Sequence, residues 1–358
     1  MNHQVFKKTV LLLFIWSFGI NLFSQNFPGS SWEYYEESDM SFWPIEKRMN
    51  LQKYIVDSTK VTSLMVIHNG KVAFQYGDVE QQNYIASCRK SVLSMLYGKY
   101  IDNGKIDLSR TLSELNIDDV GGVLPMESKA TIQDLITSRS GIYRPASNPG
   151  TWVQFIKKRG TVEPGTRWLY NNWDFNVAGY LFEMLSEKNI YDEIDEQFAK
   201  PLQMEDWNRS IQKKVGNVEK SKYLAYAMWF STRDLARLGM LMLNNGKWKD
   251  KQIISESWMK DMIKERTTPE EMQTSAPIMK RIPYNFGYGY MWWLWRNNED
   301  SRLKNAYSAF GAYGQSITVF PEMEMVVVFN TKAEYGRAND GLTTQTLPKK
   351  VLDSLGQE

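Results

Sequence analysis

Hydrophobic and polar positions along the chain predict strands near both ends. Apolar runs at 64–68 and 72–76 flank the dipeptide Asn69-Gly70, which favours the type I′ turn of a β-hairpin. Residues 316–329 repeat this arrangement around a short polar turn. We therefore expect one hairpin early in the chain and another late.

Helical spacing dominates the segments between these strands. Apolar residues recur at helical spacing over 87–103, and Gly104 is a suitable C-terminal stop. Thr131 begins a capping-box pattern for a second helix, which we expect to end near Gly141. A third helix is predicted from Ser231 onwards.

This arrangement predicts an α+β fold. An antiparallel sheet is built from both chain ends and flanked by helices, with a mainly helical central lobe and a cleft between the lobes. We expect one domain over 25–358. Its sheet lobe spans about 45–104 and 285–335, including a strand at 288–293, and its helical lobe spans about 105–284.

The first 24 residues are typical of a secretory signal peptide. Lys7 and Lys8 precede an apolar run at 10–23 that is too short for a comfortable membrane span, and Ser24 is a suitable cleavage point. An uncleaved anchor is the alternative. We expect a periplasmic or secreted protein with no stable membrane insertion after cleavage.

Charge and cysteine content narrow the possible partners. Loss of the signal removes two lysines and no acidic residue, so basic and acidic residues become equal in number. This balance argues against nucleic acid as a partner. Cys88 is the only cysteine, so no intrachain disulfide can form, and we expect it to be buried. No His, Cys, Asp or Glu cluster has metal-ligand spacing, so we predict no metal and no cofactor.

Histidine is scarce in a way that constrains catalysis. The chain has two histidines, of which His3 lies in the signal and His68 beside a hairpin turn, where a structural role is favoured. A hydrolase of the Ser-His-Asp type would therefore lack its base. Ser87 and Lys90 offer a substitute, because residues three apart share a helix face and the amine can reach the hydroxyl. A helix N-terminus also offers free N–H groups to an oxyanion.

Two further motifs carry polar groups in turns. Tyr170 and Asn172 follow a Pro-Gly turn at 164–165. Tyrosine can transfer a proton when nearby cations lower its pKa, and asparagine can bind a substrate amide. Gly314 and Gln315 precede a strand, where small residues let a substrate approach the backbone. Taken alone, an ordinary capped loop and a simple bulge are the alternatives.

The order of Ser-x-x-Lys, Tyr-x-Asn and a Gly-rich strand resembles the serine β-lactamase and penicillin-binding-protein superfamily. The resemblance covers about residues 45–335 and is strongest to the class C β-lactamase-related serine hydrolases, which include esterases, D-peptidases and aminohexanoate-oligomer hydrolases. The supporting segments are 87–91, 134–141, 234–239 and 314–321.

The resemblance implies a role for each motif. Ser87 would be the acylated nucleophile, Lys90 its base, and Tyr170 the group that passes the proton to the leaving group. Asn172 would hold the polar group on the acyl side of the substrate. The backbone N–H groups of Ser87 and Gln315 would form the oxyanion hole.

Two positions depart from the family pattern. Ala312 stands where the family usually has Lys or His, and Arg139 stands where many relatives carry His. Without that Lys or His, recognition of the carboxylate of β-lactams or D-Ala-D-Ala is not expected from the third motif.

We therefore expect an exported serine hydrolase that cleaves a small-molecule ester, amide or peptide through an acyl-enzyme on Ser87. A D-amino-acid peptidase or weak β-lactamase is the alternative among enzymes. A non-catalytic binding protein with the same fold is the alternative from another class.

Overall fold

The computed structural model describes residues 26–150, 152–296, 299–332, 336 and 338–356, so the predicted signal segment lies outside the described residues. The helices are Ile45–Ser58 (α1), Cys88–Asp102 (α2), Ile132–Ile136 (α3), Asn172–Ser186 (α4), Ile190–Ile194 (α5), Thr232–Leu243 (α6), Glu256–Met262 (α7), Pro269–Ser275 (α8) and Gly341–Asp353 (α9). No helix in these ranges has the length and hydrophobicity needed to span a bilayer.

The strands are short in the middle of the chain and longer near its ends. They are Ser63–His68 (β1), Lys71–Gly77 (β2), Asn83–Tyr84 (β3), Lys213–Val215 (β4), Ala225–Ala227 (β5), Trp229–Phe230 (β6), Lys247–Trp248 (β7), Lys251–Gln252 (β8), Phe286–Tyr288 (β9), Trp293–Trp295 (β10), Tyr307–Gly311 (β11), Gln315–Phe320 (β12) and Met325–Asn330 (β13).

One antiparallel sheet joins the two ends of the chain. Within the described residues its seven strands have the order β2-β1-β13-β12-β11-β10-β9. β1 pairs with β13 in the register Ser63 to Asn330 through His68 to Met325. The turn between β1 and β2 has positive φ at both Asn69 (+46°) and Gly70 (+78°), as a type I′ turn requires. The predicted α+β fold and both hairpins are confirmed.

The prediction of a single strand over 288–293 is wrong, because the chain reverses there between β9 and β10. Met291 adopts a φ of +61°, and the Gly289 N–H donates to the Trp292 carbonyl at 2.9 Å. The Ser91 hydroxyl donates to the Met291 carbonyl at 2.6 Å, which ties this turn to α2. A continuous apolar run hides such a turn, because every residue in it is buried.

α2 lies at the centre of the molecule. It packs against α4, α5 and α7 on the helical side and against β11 and β12 of the sheet. Most of its side chains are buried, including those of Arg89 and Lys90. It spans the predicted residues and ends before Gly104, which has a φ of +75°. The first turn of α2 therefore lies where sheet and helices meet.

The other two predicted helices begin at their predicted caps. The Ser231 side chain caps α6, which packs against β1, β12 and β13 although its residues fall in the range expected for the helical lobe. The lobe boundaries stay a prediction. Thr131 forms the capping box of α3, but this helix ends at Ile136 rather than near Gly141. It ends early because Ser138 adopts a φ of +58°.

Gly239 on α6 should tolerate no side chain. A Cβ atom there would overlap Val326 Cγ1 and lie 3.2 Å from Ile317 Cγ2 on the sheet. Overpacking a filled core costs about 1–3 kcal/mol, against about 1 kcal/mol of helix propensity gained from replacing glycine. We expect Gly239→Ala to lower the free energy of unfolding, measured with urea. Gly341→Ala is the control, because nothing lies within 4 Å of its Cβ position. A free energy of unfolding that is unchanged in Gly239→Ala would contradict the packing described.

Candidate active site

Ser87 lies at the start of α2, where the chain turns sharply out of β3. It is the residue before the first helical turn and is half-buried. Ala86 before it adopts a φ of +47°, a conformation that costs a residue with a Cβ atom about 1–2 kcal/mol. The Ile85 N–H donates to the Met228 carbonyl at 3.0 Å and helps to hold this segment. No sequence signal predicted the conformation of Ala86.

The side chains of Ser87, Lys90 and Tyr170 meet at this end of α2. Lys90 Nζ donates to Ser87 Oγ at 2.9 Å and to the Tyr170 hydroxyl at 2.6 Å. The first contact is the helical pair that the sequence predicts, whereas the second joins residues 80 positions apart. The structure thus brings the three predicted catalytic side chains together, and their roles stay a prediction.

The Lys90 amine has an apolar environment. The residue is 2% exposed, and Nζ lies 4.4 Å from the centroid of the Tyr170 ring and 4.6 Å from that of Phe175. Burial, and secondly the charge of Arg89, lower the pKa of Lys90 well below its usual value. A neutral amine has a lone pair that can accept the Ser87 proton with little movement of the heavy atoms.

The Tyr170 ring is packed among other aromatic rings. Its centroid lies 5.7 Å from that of Trp152, 5.1 Å from Phe175 and 5.8 Å from Trp293. Burial raises the pKa of Tyr170 above its usual value, and this outweighs the opposing effects of the hydrogen bond with Ser87 and of the Arg89 charge. Nearby cations therefore do not bring the pKa of Tyr170 below its usual value, as the predicted proton transfer by this residue would need. The role of Tyr170 in proton transfer stays a prediction.

A buried polar network holds the chain around Tyr170. The Ser138 hydroxyl donates to the Leu169 carbonyl at 2.7 Å and accepts from the Asn171 N–H at 3.1 Å. Asn171 Nδ2 and Ser140 Oγ donate to Asp174 Oδ1 at 2.8 and 2.7 Å. Burial raises the pKa of Asp174 well above its usual value. Sequence reasoning missed this network, because its two halves lie about 30 residues apart.

Asn172 is the first residue of α4 and is tied to the preceding loop. Its Nδ2 donates to the Pro149 carbonyl at 2.6 Å. A Cβ atom on Gly150 would lie 2.6 Å from the same nitrogen, and Gly150 has a φ of +115°. The loop is therefore fitted closely around the Asn172 amide. The sequence predicts Asn172 in a loop, whereas the structure places it in the first turn of α4, and substrate binding by Asn172 stays a prediction.

Gly314 and Gln315 form the entry to β12. Gly314 has a φ of +99°, its carbonyl accepts from Thr331 Oγ1 at 2.8 Å, and a Cβ atom would lie 2.7 Å from that oxygen. The buried Gln315 side chain accepts from the Tyr313 N–H and donates to the Thr331 carbonyl, both at 3.2 Å. The Gln315 side chain is therefore engaged within the turn, and a part for its backbone N–H in an oxyanion hole stays a prediction.

Cys88 and His68 both pack against other parts of the protein, as residues with a structural role do. Cys88 is fully buried, as expected, and burial raises the pKa of its thiol. His68 Nδ1 lies 3.0 Å from the Tyr35 hydroxyl, and its ring centroid is 4.4 Å from that of Phe42. Among the described residues, no group of three or more His, Cys, Asp and Glu side chains is placed to hold a metal ion.

The two departures from the family pattern differ in their surroundings. Ala312 is exposed in the turn between β11 and β12. Arg139 donates to Glu271 at 3.1 Å, to Thr267 Oγ1 at 2.9 Å and to the Gly165 carbonyl at 2.9 Å. The Arg139 guanidinium is therefore engaged by protein oxygens.

Arg89 is a buried cation that the sequence analysis did not single out. Its Nη2 donates to Asn176 Oδ1 at 3.1 Å, and its Cζ lies 4.1 Å from the centroid of the Tyr226 ring. Its Nη1 has no hydrogen-bond partner within the described part of the chain. Gly179 admits the Tyr226 ring, because a Cβ atom there would overlap it. A positive charge is thus held in the helix turn that carries Lys90.

Comparison with known proteins gives one family and many similar folds. The family model described as Beta-lactamase matches residues 56–347. A Bacillus anthracis protein with the provisional description 6-aminohexanoate-dimer hydrolase has a TM-score of 0.66 and 19% identity, over 92% of this chain and 88% of its own. A penicillin-binding protein homologue from Caulobacter crescentus has a TM-score of 0.62 and 12% identity, over 87% of this chain and 98% of its own. A family VIII carboxylesterase has a TM-score of 0.60 and 12% identity, over 87% of this chain and 97% of its own.

Removing the charge of Arg89 should change the pH dependence of Ser87 reactivity. Arg89 lowers the pKa of Lys90, so Arg89→Met should raise it, and more Lys90 would be protonated at a given pH. The acid limb of the rate at which a fluorophosphonate modifies the protein should then move to higher pH. Arg89→Lys retains a charge and is the control, with a limb close to that of the wild type. An unmoved or lowered limb in Arg89→Met would contradict the role given to this charge.

Proposed function

The chain belongs to the beta-lactamase family, and on this basis we propose that it is an exported serine hydrolase that cleaves a small ester or amide through an acyl-enzyme on Ser87. One observation carries the proposal. The buried Lys90 amine lies within hydrogen-bonding distance of both the Ser87 and the Tyr170 hydroxyl groups. A nucleophile needs an adjacent base of this kind, because an unassisted serine hydroxyl is a weak nucleophile near neutral pH.

In the proposed acylation, Ser87 Oγ attacks the substrate carbonyl carbon as its proton moves to Lys90 Nζ. The oxyanion accepts hydrogen bonds from the backbone N–H groups of Ser87 and Gln315, an interaction that lowers such barriers by about 3–4 kcal/mol. The bond to the leaving group then breaks. The leaving group takes a proton from Tyr170, which is reprotonated by the Lys90 ammonium.

Deacylation uses the same groups in the reverse direction. A water molecule attacks the acyl carbon, and its proton passes through Tyr170 to Lys90. The Ser87–acyl bond breaks, and Ser87 Oγ takes the proton back from Lys90. The acid product leaves with the amine neutral and the phenol protonated, so the site is ready for another cycle. The high pKa of Tyr170 and the low pKa of Lys90 favour these resting states.

An uncharged ester or amide is the substrate class that the site supports best. Ala312 contributes no charge at the third motif, and Arg139 is bound to Glu271. A structural relative described as a carboxylesterase supports ester cleavage. A D-amino-acid peptidase or weak β-lactamase would need a cation for the substrate carboxylate. A non-catalytic binding protein would need neither the neutral amine nor its two hydroxyl partners.

We also propose that the protein is exported to the periplasm or beyond, on the strength of the signal-like residues 1–24. Amino-terminal sequencing of protein recovered from the exported fraction checks this, and a start at Gln25 is expected. Recovery only from the cytoplasm would contradict export and would leave the proposed chemistry unaffected.

Ser87 should be the residue acylated. Treatment of the purified protein with a fluorophosphonate should give a single adduct by intact mass, and peptide mapping should place it on Ser87. Ser87→Ala should abolish the adduct. Cys88→Ala is the matched control and should retain it, because the buried thiol has a raised pKa. An adduct on Cys88, or one that persists in Ser87→Ala, would contradict the proposed nucleophile.

The wild type should prefer a neutral ester over its carboxylate analogue, judged by the ratio of the two kcat/KM values. Ala312→Lys should shift this ratio towards the carboxylate by about fivefold or less, because a partly exposed charge pair contributes about 1 kcal/mol. Ala312→Gln, which adds length without charge, is the control and should shift the ratio less. A wild type that already prefers the carboxylate would show that another cation binds it.

A further inference from the structure

Three aromatic side chains lie on the chain segments that surround Ser87. Tyr84 is three residues before Ser87 in β3 and pairs across the strands with Trp229 in β6. The Ile85 N–H donates to the Met228 carbonyl at 3.0 Å, which holds these two strands together at this point. The Trp229 side chain is therefore brought next to the strand that leads into the nucleophile.

The third aromatic side chain, that of Tyr313, comes from a turn of the large sheet and lies close to the strand that precedes Ser87. A Cβ atom on Gly311 would lie 2.8 Å from the Ile85 carbonyl oxygen, so the end of β11 passes directly beside the strand that precedes Ser87. Tyr313 follows in the turn between β11 and β12, two residues before Gln315. Segments that are distant in the chain thus converge beside the nucleophile.

The three rings form a continuous aromatic shelf, defined as Tyr84, Trp229 and Tyr313. The Tyr84 centroid lies 5.4 Å from that of Trp229 at an interplanar angle of 42°, and 6.4 Å from that of Tyr313 at 48°. Tyr313 is 40% exposed, and the other two rings are half-buried. Lys213 Nζ lies 5.6 Å from the centroid of the Trp229 ring. Tyr313 is therefore the ring of the shelf most accessible to a ligand.

The shelf is held in place before any ligand arrives. The Tyr313 N–H donates to Gln315 Oε1 at 3.2 Å, and its carbonyl accepts from the Asn339 N–H at 3.0 Å. The backbone of this turn is thus fixed at both sides of the exposed ring. A preorganised aromatic surface binds a flat apolar group with little loss of conformational freedom.

We propose that the aromatic shelf binds an uncharged aromatic ring of the substrate while its ester or amide carbonyl lies at Ser87. The inference rests on the proposed function and adds the class of substrate. Ring-to-ring contact suits the tilted geometry within the shelf, and the neighbouring Ala312 offers no charge to an anionic group. An aromatic ring on the substrate should raise kcat/KM by about three- to tenfold over a non-aromatic ring of similar size.

Two matched pairs of neutral esters test the proposal. Ethyl phenylacetate is compared with ethyl cyclohexylacetate, and benzyl acetate with cyclohexylmethyl acetate, by pH-stat measurement of kcat/KM. The pairs place the ring on the acyl side and on the alcohol side, respectively. The wild type should prefer the aromatic member of at least one pair, and Tyr313→Leu should bring that ratio close to one. Tyr84→Leu provides a second variant, with folding of both checked by thermal unfolding.

Tyr180→Leu is the matched control for loss of an exposed tyrosine. Tyr180 lies on α4 and is 44% exposed, and its ring centroid lies 5.0 Å from that of Tyr223, which is not a residue of the shelf. This variant should keep the aromatic preference of the wild type. No preference in either pair, or a preference that survives both Tyr313→Leu and Tyr84→Leu, would overturn the shelf.

Failure of the shelf and failure of the proposed function give different results. If the wild type forms the Ser87 adduct and hydrolyses the cyclohexyl esters as well as the aromatic ones, the shelf alone is wrong. If neither the Ser87 adduct nor ester hydrolysis is observed, the proposed function is wrong and the shelf proposal falls with it.

Discussion

The burial of a single amine, that of Lys90, is the constraint on which the site depends. α2 is enclosed by helices on one side and by the sheet on the other, so Lys90 loses contact with water. Arg89 adds a second positive charge in the same helix turn, and the hydrogen bonds of Lys90 go to the hydroxyl groups of Ser87 and Tyr170. Such surroundings favour the form of the amine without its proton, which is the form that a base requires.

The rest of the site is arranged to bring partners to this amine. Ala86 accepts an unfavourable backbone conformation so that Ser87 lies at the helix start. The hydrogen bonds among Ser138, Asn171 and Asp174 fix the loop that carries Tyr170, whose hydroxyl contacts Lys90. The conformation of Ala86 is strained, and the contact between Ser138 and Asn171 joins segments 33 positions apart, so the packed fold must stabilise the site.

The third motif combines an uncharged turn with an exposed aromatic ring. Ala312 contributes no charge at this point, and Tyr313 beside it extends an exposed aromatic ring towards Tyr84. The backbone of the motif is nevertheless retained, because Gly314 and the inward-facing Gln315 side chain hold the turn. Under the proposed function, a turn built in this way favours recognition of a ring over recognition of a charge.

Local patterns by themselves determined the hairpin at Asn69-Gly70, the caps at Thr131 and Ser231, and the Ser87–Lys90 pair, because each depends on residues only a few positions apart. The pattern of strands at both chain ends with helices between them predicted the α+β fold, and the order of motifs indicated the family. Tertiary structure alone decided the reversal at Met291, the burial of Arg89, the contact of Lys90 with Tyr170 and the meeting of Tyr84 with Tyr313. Burial and long-range contact depend on how distant segments pack, and no short pattern encodes that.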